Sequence, residues 1–176
     1  MDVILSALLG TLAGLVGSYA GYRFTGRAAR AAEFRAVRRE AAADLSSPLR
    51  DLRSMVRRWG RVDLAQEEVG SALVAWAEAF DRQRHRLPEE WQHIGRSVRA
   101  AVGEVFGAVA LADLRPDMTT NPLAAPDFEW QDFADDYITY VLDVVVRWGD
   151  QQRASSKLHN FDAWLDATGR RSGWSG

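Results

Sequence analysis

Three histidines, His85, His93 and His159, are the side chains most suited to acid-base chemistry or metal binding, because the chain has no cysteine. Glu90 and His93, three residues apart, lie on one face of a predicted helix, as in carboxylate-bridged di-iron bundles. Such a centre needs a second motif of this kind, and the pair His159 and Asp162 is a poor substitute. We therefore predict no cofactor and no metal site, with Glu90 and His93 as the weak candidates.

Sequence patterns of the common enzyme classes are also missing. There is no glycine-rich phosphate loop, no nucleophile elbow and no HExxH zinc motif. The lack of cysteine excludes disulfides, a thiol nucleophile and cysteine-ligated metals. An enzyme or ligand sensor remains the alternative hypothesis, with a site in the bundle core where Glu90, His93 and either Glu104 or Asp143 converge.

The helix that must position any such site begins with an uncharged apolar run, residues 3–22. Twenty helical residues extend roughly 30 Å, which is the thickness of the hydrocarbon core of a bilayer. We therefore predict a transmembrane anchor at 1–22. A cleaved signal peptide is the main alternative, since Ser18, Tyr19 and Ala20 resemble a cleavage site, but no positive residue precedes the run.

Arginines follow the run in excess and predict its orientation. Positive residues close to a span stay on the cytoplasmic side, so we expect the N-terminus outside and the C-terminal domain in the cytoplasm. The bias towards arginine and alanine indicates a bacterial protein, and hence the inner membrane. A topology signal on a solvated helix face is the preferred explanation of these arginines, and attraction to anionic lipid head groups is the alternative. They are Arg23, Arg27, Arg30, Arg35, Arg38 and Arg39.

Glycines in the apolar run recur every three or four residues, at Gly10, Gly14, Gly17 and Gly21. Small residues at this spacing allow two helices to approach closely in lipid. They predict a homo-oligomer or a partner transmembrane helix along this stripe. The alternative is that glycine is simply frequent in membrane helices.

The net charge of −2 conceals two regions of opposite sign. Residues 23–61 contain 11 arginines and four carboxylates, a net charge of +7, whereas residues 62–176 have a net charge of −8. The acidic region would repel phosphate and there is no basic motif rich in aromatic residues, so we predict no nucleic-acid binding.

Apolar residues with helical spacing predict an all-α fold: a single N-terminal transmembrane helix that continues into a cytoplasmic bundle of about four helices. The continuation, 23–61, is an arginine-rich juxtamembrane helix, 62–168 is the bundle domain and 169–176 is a disordered tail. The apolar stripe of the juxtamembrane helix includes Phe34, Ala41, Leu45 and Val56. Further helices are predicted at about 63–86, from Pro88 to about 111, from 127 or 131 to 152, and at about 156–168.

The first of these helices is expected to begin with a capping box between Asp63 and Gln66. Its buried face is predicted to consist of Val69, Leu73, Trp76 and Phe80. The predicted buried face of the helix that ends at 152 is marked by Phe133, Tyr137, Val141, Val144 or Val145, and Trp148.

An acidic segment surrounds the proline-rich connection at residues 114–126. The preferred interpretation is a set of acids that stabilises a helix N-terminus; the alternative is a docking surface for a basic partner or a divalent cation. We also expect Trp130, beside these acids, to be accessible to a partner. The candidate surface residues are Asp117, Asp127, Glu129, Trp130 and Asp132.

Together these patterns favour a non-enzymatic interaction or scaffold protein at the cytoplasmic face of a bacterial membrane. The main reason is that the predicted buried faces are almost entirely apolar. The identity of the protein partner cannot be derived from the sequence.

Overall fold

The computed structural model describes the backbone of residues 2–107, 123–150 and 157–170, with side chains described from residue 29 onward in those ranges. Throughout them the regular secondary structure is helical, which confirms the predicted all-α class. The α-helices are α1 (Asp2–Arg58), α2 (Gln66–Gln83), α3 (Ile94–Phe106), α4 (Phe128–Asp150) and α5 (Phe161–Ala167). Two short 3-10 helices, Arg84–Arg86 and Glu89–Trp91, lie between α2 and α3.

The chain divides into two compact units, Met1–Val37 and Arg38–Gly176, and α1 contributes to both. Within the first unit, Phe34 is 67 % exposed. The prediction that Phe34 belongs to a buried stripe is therefore wrong. The described part of this unit is a single helix, so no second element of the unit covers the ring.

In the second unit, α1 continues through Pro48 to Arg58. Its predicted apolar stripe is buried from Ala41 through Leu45 to Val56. Ser46 is buried on the same helix, and its hydroxyl donates to the carbonyl of Ala42 at 2.6 Å. A polar group in the core is thereby satisfied within the helix itself.

Two predicted helix starts differ from the structure. The capping box expected between Asp63 and Gln66 does not form, because α2 begins at Gln66 after Ala65, whose side chain makes no cap hydrogen bond. Pro88 starts a 3-10 turn, in which the amide of Trp91 donates to the carbonyl of Pro88 at 2.9 Å, and not α3 itself. The predicted buried face of α2 is confirmed.

The starts of α4 and α5 have the side-chain caps that favour helix initiation. Asp127 Oδ1 accepts from the amides of Glu129, at 3.0 Å, and Trp130, at 3.3 Å. Asn160 Oδ1 accepts from the amide of Ala163 at 2.8 Å. These caps fix where both helices begin.

All five helices contribute buried side chains to one hydrophobic core. The largest of these with almost no exposure come from four elements: Trp76, Trp91, Phe106 and Tyr137. Around Tyr137 the ring centroids of Phe161 and Trp164 lie at 5.0 and 5.5 Å. These ring contacts hold the start of α5, from Asn160 to Trp164, against α4.

Among the residues whose side chains are described, no helix has the length and apolar character needed to cross a membrane. The predicted span at 3–22 and its four glycines, Gly10, Gly14, Gly17 and Gly21, lie outside those residues, although the backbone there is helical. Most of the connection at 114–126 and of the tail at 169–176 also lies outside the described residues. The anchor remains a prediction.

Candidate partner surface

The residues predicted to converge on a ligand or metal are placed mainly at the surface. Glu90, Glu104 and Asp143 are exposed, and His93 is half-buried. The buried Nε2 atom of His93 has no hydrogen-bond partner in the structure. Among the described residues, no three His, Asp or Glu side chains are close enough to hold a metal ion. The geometry offers no core site built from these residues.

A surface groove of about 450 Å³ lies beside the two 3-10 helices. Its polar groups bond to each other: Arg84 Nε donates to Gln92 Oε1 at 2.6 Å, and Gln92 Nε2 donates to the carbonyl of Arg84 at 3.1 Å. His85 and Glu89 also line it and are exposed. Arg84 and Gln92 therefore use part of their hydrogen-bonding capacity on each other at the surface of the groove.

An exposed apolar patch lies where the turn after α1 approaches the start of α4. Phe128 is 64 % exposed and Val62 is 47 % exposed. A Cβ atom placed on Gly60 would lie 3.0 Å from Cβ of Pro126 and 3.8 Å from Cε1 of Phe128, so the turn and the helix start are in contact. Large apolar side chains grouped at a protein surface are typical of interaction sites.

Two features of the backbone hold this patch in place. Gly60 has φ +77°, a left-handed conformation that favours glycine and turns the chain after α1. Gln131, buried in α4, donates from Nε2 to the carbonyl of Val56 and, at 2.8 Å, to the carbonyl of Trp59. One side chain therefore satisfies two carbonyls at the end of α1 and fixes that end against α4.

Exposed acids lie beside Phe128 and Val62 along the chain. Asp127, Glu129 and Asp132 are exposed, and the carboxylate of Asp127 caps α4. Asp63 is exposed in the turn beside Val62. We define the acidic apolar surface as Val62, Asp63, Pro126, Asp127, Phe128, Glu129 and Asp132. Asp117 lies outside the described residues.

Two acids in the next turn of α4, Asp135 and Asp136, are bound to arginines of the same chain. Asp135 accepts from Nε of Arg53 at 2.9 Å and from Nε of Arg57 at 2.7 Å. Burial alone would raise the pKa of Asp135, but the hydrogen bonds from the two arginines outweigh it and lower the pKa below its usual value. Asp136 pairs with Arg170 at 2.6 Å.

Trp130 is less accessible than predicted. It is half-buried against the core, with its ring centroid 5.7 Å from that of Phe133 and 6.5 Å from that of Phe161. Arg170, in the predicted tail, lies over the rings of Phe133 and Trp164 at 5.2 and 4.7 Å. Trp130 therefore serves packing between α4 and α5, and the apolar part of the surface comes from Phe128 and Val62.

The arginines predicted for lipid head groups or topology have several environments. Arg30 is exposed, while Arg35 Nε donates to the carbonyl of Ala31 at 3.2 Å. Arg39 pairs with Asp150 at 3.2 Å, and Arg38 is half-buried. Arg23 and Arg27 lie in the part of α1 whose side chains are not described.

The sequence reasoning missed the two apolar residues of the surface. The signal for Phe128 was its position five residues before Phe133, which places it well off the predicted buried stripe of α4. Val62 follows Gly60 in a turn, where helical periodicity carries no information. Neither position by itself shows that the two residues meet.

Comparisons with known proteins add no relative: no protein-family model, no curated protein and no solved structure matches the chain significantly.

Proposed function

We propose that this chain is a single-pass bacterial membrane protein whose helical domain lies at the cytoplasmic face and binds a protein partner. It has a recruiting or scaffolding function, and the acidic apolar surface is its binding site. The observation that carries the proposal is the exposed pair Phe128 and Val62 beside unneutralised acids. Large apolar residues in an interface commonly supply most of the binding energy.

The membrane part of the proposal is supported by the sequence of α1. Its first turns contain the uncharged run 3–22, and arginines follow it with few acids. The helical backbone from Asp2 onward is compatible with a spanning segment, because a helix satisfies its own backbone hydrogen bonds in lipid. The glycine stripe in this run is suited to pairing with a second span.

The partner surface is supported by the contrast between its residues and the rest of α4. Phe128 is 64 % exposed, more than Val146 on the same helix (41 %) or Val74 on α2 (38 %). Asp135 and Asp136, in the next turn of α4, are bound to arginines of the same chain. The residues of the acidic apolar surface remain available to another molecule.

Topology is tested with a C-terminal reporter that is active only in the cytoplasm, fused to the full-length chain. We expect an active reporter and a membrane-bound product of full mass. A product shortened by about 20 residues, as a cleaved signal would give, or a silent reporter would place the domain outside the cytoplasm. Either result would overturn the proposed location and its partner.

Partner binding is tested by cross-linking the full-length chain in membranes of its source cells and quantifying the captured proteins by mass spectrometry. The amount of one captured protein should be at least about tenfold lower with the variant Phe128→Ser than with the wild type, as expected for an interface hot spot. Val74→Ser is the matched control, because Val74 is 38 % exposed on α2, away from this surface in sequence.

The two variants separate a specific surface from general stickiness. Equal loss of the captured protein in Phe128→Ser and Val74→Ser would show that exposed apolar area alone explains the capture. An unchanged capture profile in Phe128→Ser would show that the surface is not the binding site. Both results would contradict the proposal.

A further inference from the structure

We infer that the acidic apolar surface accepts a basic segment of a partner protein that carries an apolar anchor residue. The inference rests on the proposed function, since it names the chemistry of the partner at that same surface. The apolar anchor would pack on Phe128 and Val62, and lysine or arginine residues on either side of it would meet the surrounding carboxylates.

The charge of the surface determines the sign of the partner. The four acids of the surface are Asp63, Asp127, Glu129 and Asp132. Together with Arg61, which lies in the turn beside Val62, they have a net charge of −3. All five are exposed. None of them forms an ion pair within the described part of the chain. A binding segment with complementary positive charge is therefore attracted at long range and held in register.

Folding explains only part of this charge. Asp127 caps α4, and Glu129 lies in its first turn, where acids stabilise a helix N-terminus. Asp132 lies beyond the first turn, where this effect has largely decayed. The exposed ring of Phe128 has no role in capping. A purely structural explanation therefore leaves Asp132, Phe128 and Val62 unexplained.

The apolar pair distinguishes a protein segment from a small cation. A divalent cation needs several convergent oxygen ligands, and no group of three suitable side chains exists among the described residues. The apolar side chains of Phe128 and Val62 also have no oxygen atoms that could bind a cation. A basic segment with an apolar residue uses both parts of the surface, with a desolvated centre and a charged rim.

The inference is tested with two synthetic helical peptides, one of leucine and lysine and one of leucine and glutamate, each labelled with a fluorophore. Binding to the full-length protein in neutral detergent is followed by fluorescence anisotropy at low and high salt. We expect the lysine peptide to bind and the glutamate peptide not to bind. The affinity for the lysine peptide should fall as salt rises, because screening weakens exposed charges.

Variants separate the contributions of charge and apolar contact. Glu129→Gln combined with Asp132→Asn should weaken the lysine peptide by about fivefold or more and reduce its salt dependence. Phe128→Ser should weaken it by about tenfold. Glu104→Gln and Val74→Ser are matched controls, because both residues are exposed on other helices. Both controls should bind as the wild type does.

Three results would overturn the inference: no binding of the lysine peptide, equal binding to all variants, or a dimer of the full-length protein that Phe128→Ser abolishes. The last would assign the surface to a second copy. If cross-linking in cells depends on Phe128 but is unchanged in the Glu129→Gln, Asp132→Asn variant, the proposed function stands and only this inference fails. Loss in the Val74→Ser control would instead remove the proposed function.

Discussion

The first turns and the middle of α4 contain the same types of residue in different environments. In the first turns Phe128 is 64 % exposed and Asp132 has no ion pair in the described structure. In the middle, Tyr137 is fully buried and Asp135 accepts hydrogen bonds from Arg53 and Arg57. Neighbouring elements, and not residue type, decide whether an aromatic ring or a carboxylate contributes to folding or remains free for binding.

Two kinds of contact hold the end of α1 against α4. At its C-terminal end α1 is fixed by Gln131, which satisfies two carbonyls, and slightly earlier by the ion pairs of Asp135. The acidic apolar surface lies just beyond these contacts. A binding surface needs exposed residues that are held in place by rigid neighbouring elements, and this surface has that arrangement. If the comparison is correct, substitution of Tyr137 or Asp135 reduces stability and substitution of Phe128 or Asp132 does not.

The largest expected effect is that of Tyr137→Ala. This change removes a fully buried ring that packs against Phe161 and Trp164, and it removes the hydrogen bond from the hydroxyl to the carbonyl of His159 at 3.0 Å. We expect a loss of about 3–5 kcal/mol in the free energy of unfolding, measured by urea denaturation.

Tyr137→Phe is the control for this change, because it keeps the ring and removes only the hydroxyl. It should cost about 1 kcal/mol. A loss in Tyr137→Ala no larger than that of Tyr137→Phe would mean that the ring is not packed in solution, and the contrast along α4 would disappear.

A smaller effect is expected for Asp135→Asn. The neutral amide keeps the shape of the side chain but loses charge-assisted hydrogen bonds to Arg53 and Arg57, of which Arg57 is largely exposed. We expect a loss of about 1–2 kcal/mol in urea denaturation, after allowing for solvent screening. Asp143→Asn, an exposed acid on the same helix, should leave the stability unchanged. Equal effects of the two changes would contradict the role assigned to the ion pairs.

The same carboxylates predict how stability depends on pH. Hydrogen bonds from Arg82 and Gln83 lower the pKa of Asp44, and those from Arg57 and Arg53 lower the pKa of Asp135 despite its burial. The carboxyl group of an aspartate in the unfolded chain has a pKa of about 4. As the pH falls towards that value, the unfolded state therefore binds more protons than the folded state does. The stabilisation is complete above about pH 4 and is lost as the pH falls through the folded pKa.

This dependence is measured by urea denaturation across the acid range. The free energy of unfolding should decrease below about pH 4 in the wild type and decrease less steeply in Asp135→Asn. A wild-type curve that does not change between neutral and acid pH would show that these ion pairs do not form in solution.

Much of the fold follows from helical periodicity in the sequence. The buried faces of α2 and α4 agree with prediction because Val69, Leu73, Trp76 and their counterparts on α4 repeat every three or four residues beside neighbouring helices. Phe34 shows the limit of this reasoning. Its spacing continues the apolar stripe of α1, but periodicity gives the direction of a side chain and not whether another element lies there to cover it.

The candidate surface was predictable in its charge and not in its apolar centre. Asp127, Glu129 and Asp132 are acids near a helix start, which the sequence indicates directly. The position of Val62 near the start of α4 depends on the turn at Gly60, which approaches Phe128, and Trp130 packs against Phe161 of α5. Contacts between residues this far apart in sequence depend on tertiary packing, which local patterns do not specify.

The smallest expected effect is that of Phe128→Ala on stability. Because the ring is 64 % exposed, its truncation should change the free energy of unfolding by less than about 0.5 kcal/mol, measured by the same denaturation. Such a result, beside the large loss in Tyr137→Ala, would mean that this apolar side chain contributes little to folding. A loss above about 1 kcal/mol would instead mean that Phe128 is covered in solution. In that case the two regions of α4 would not differ, and the acidic apolar surface would have no accessible centre.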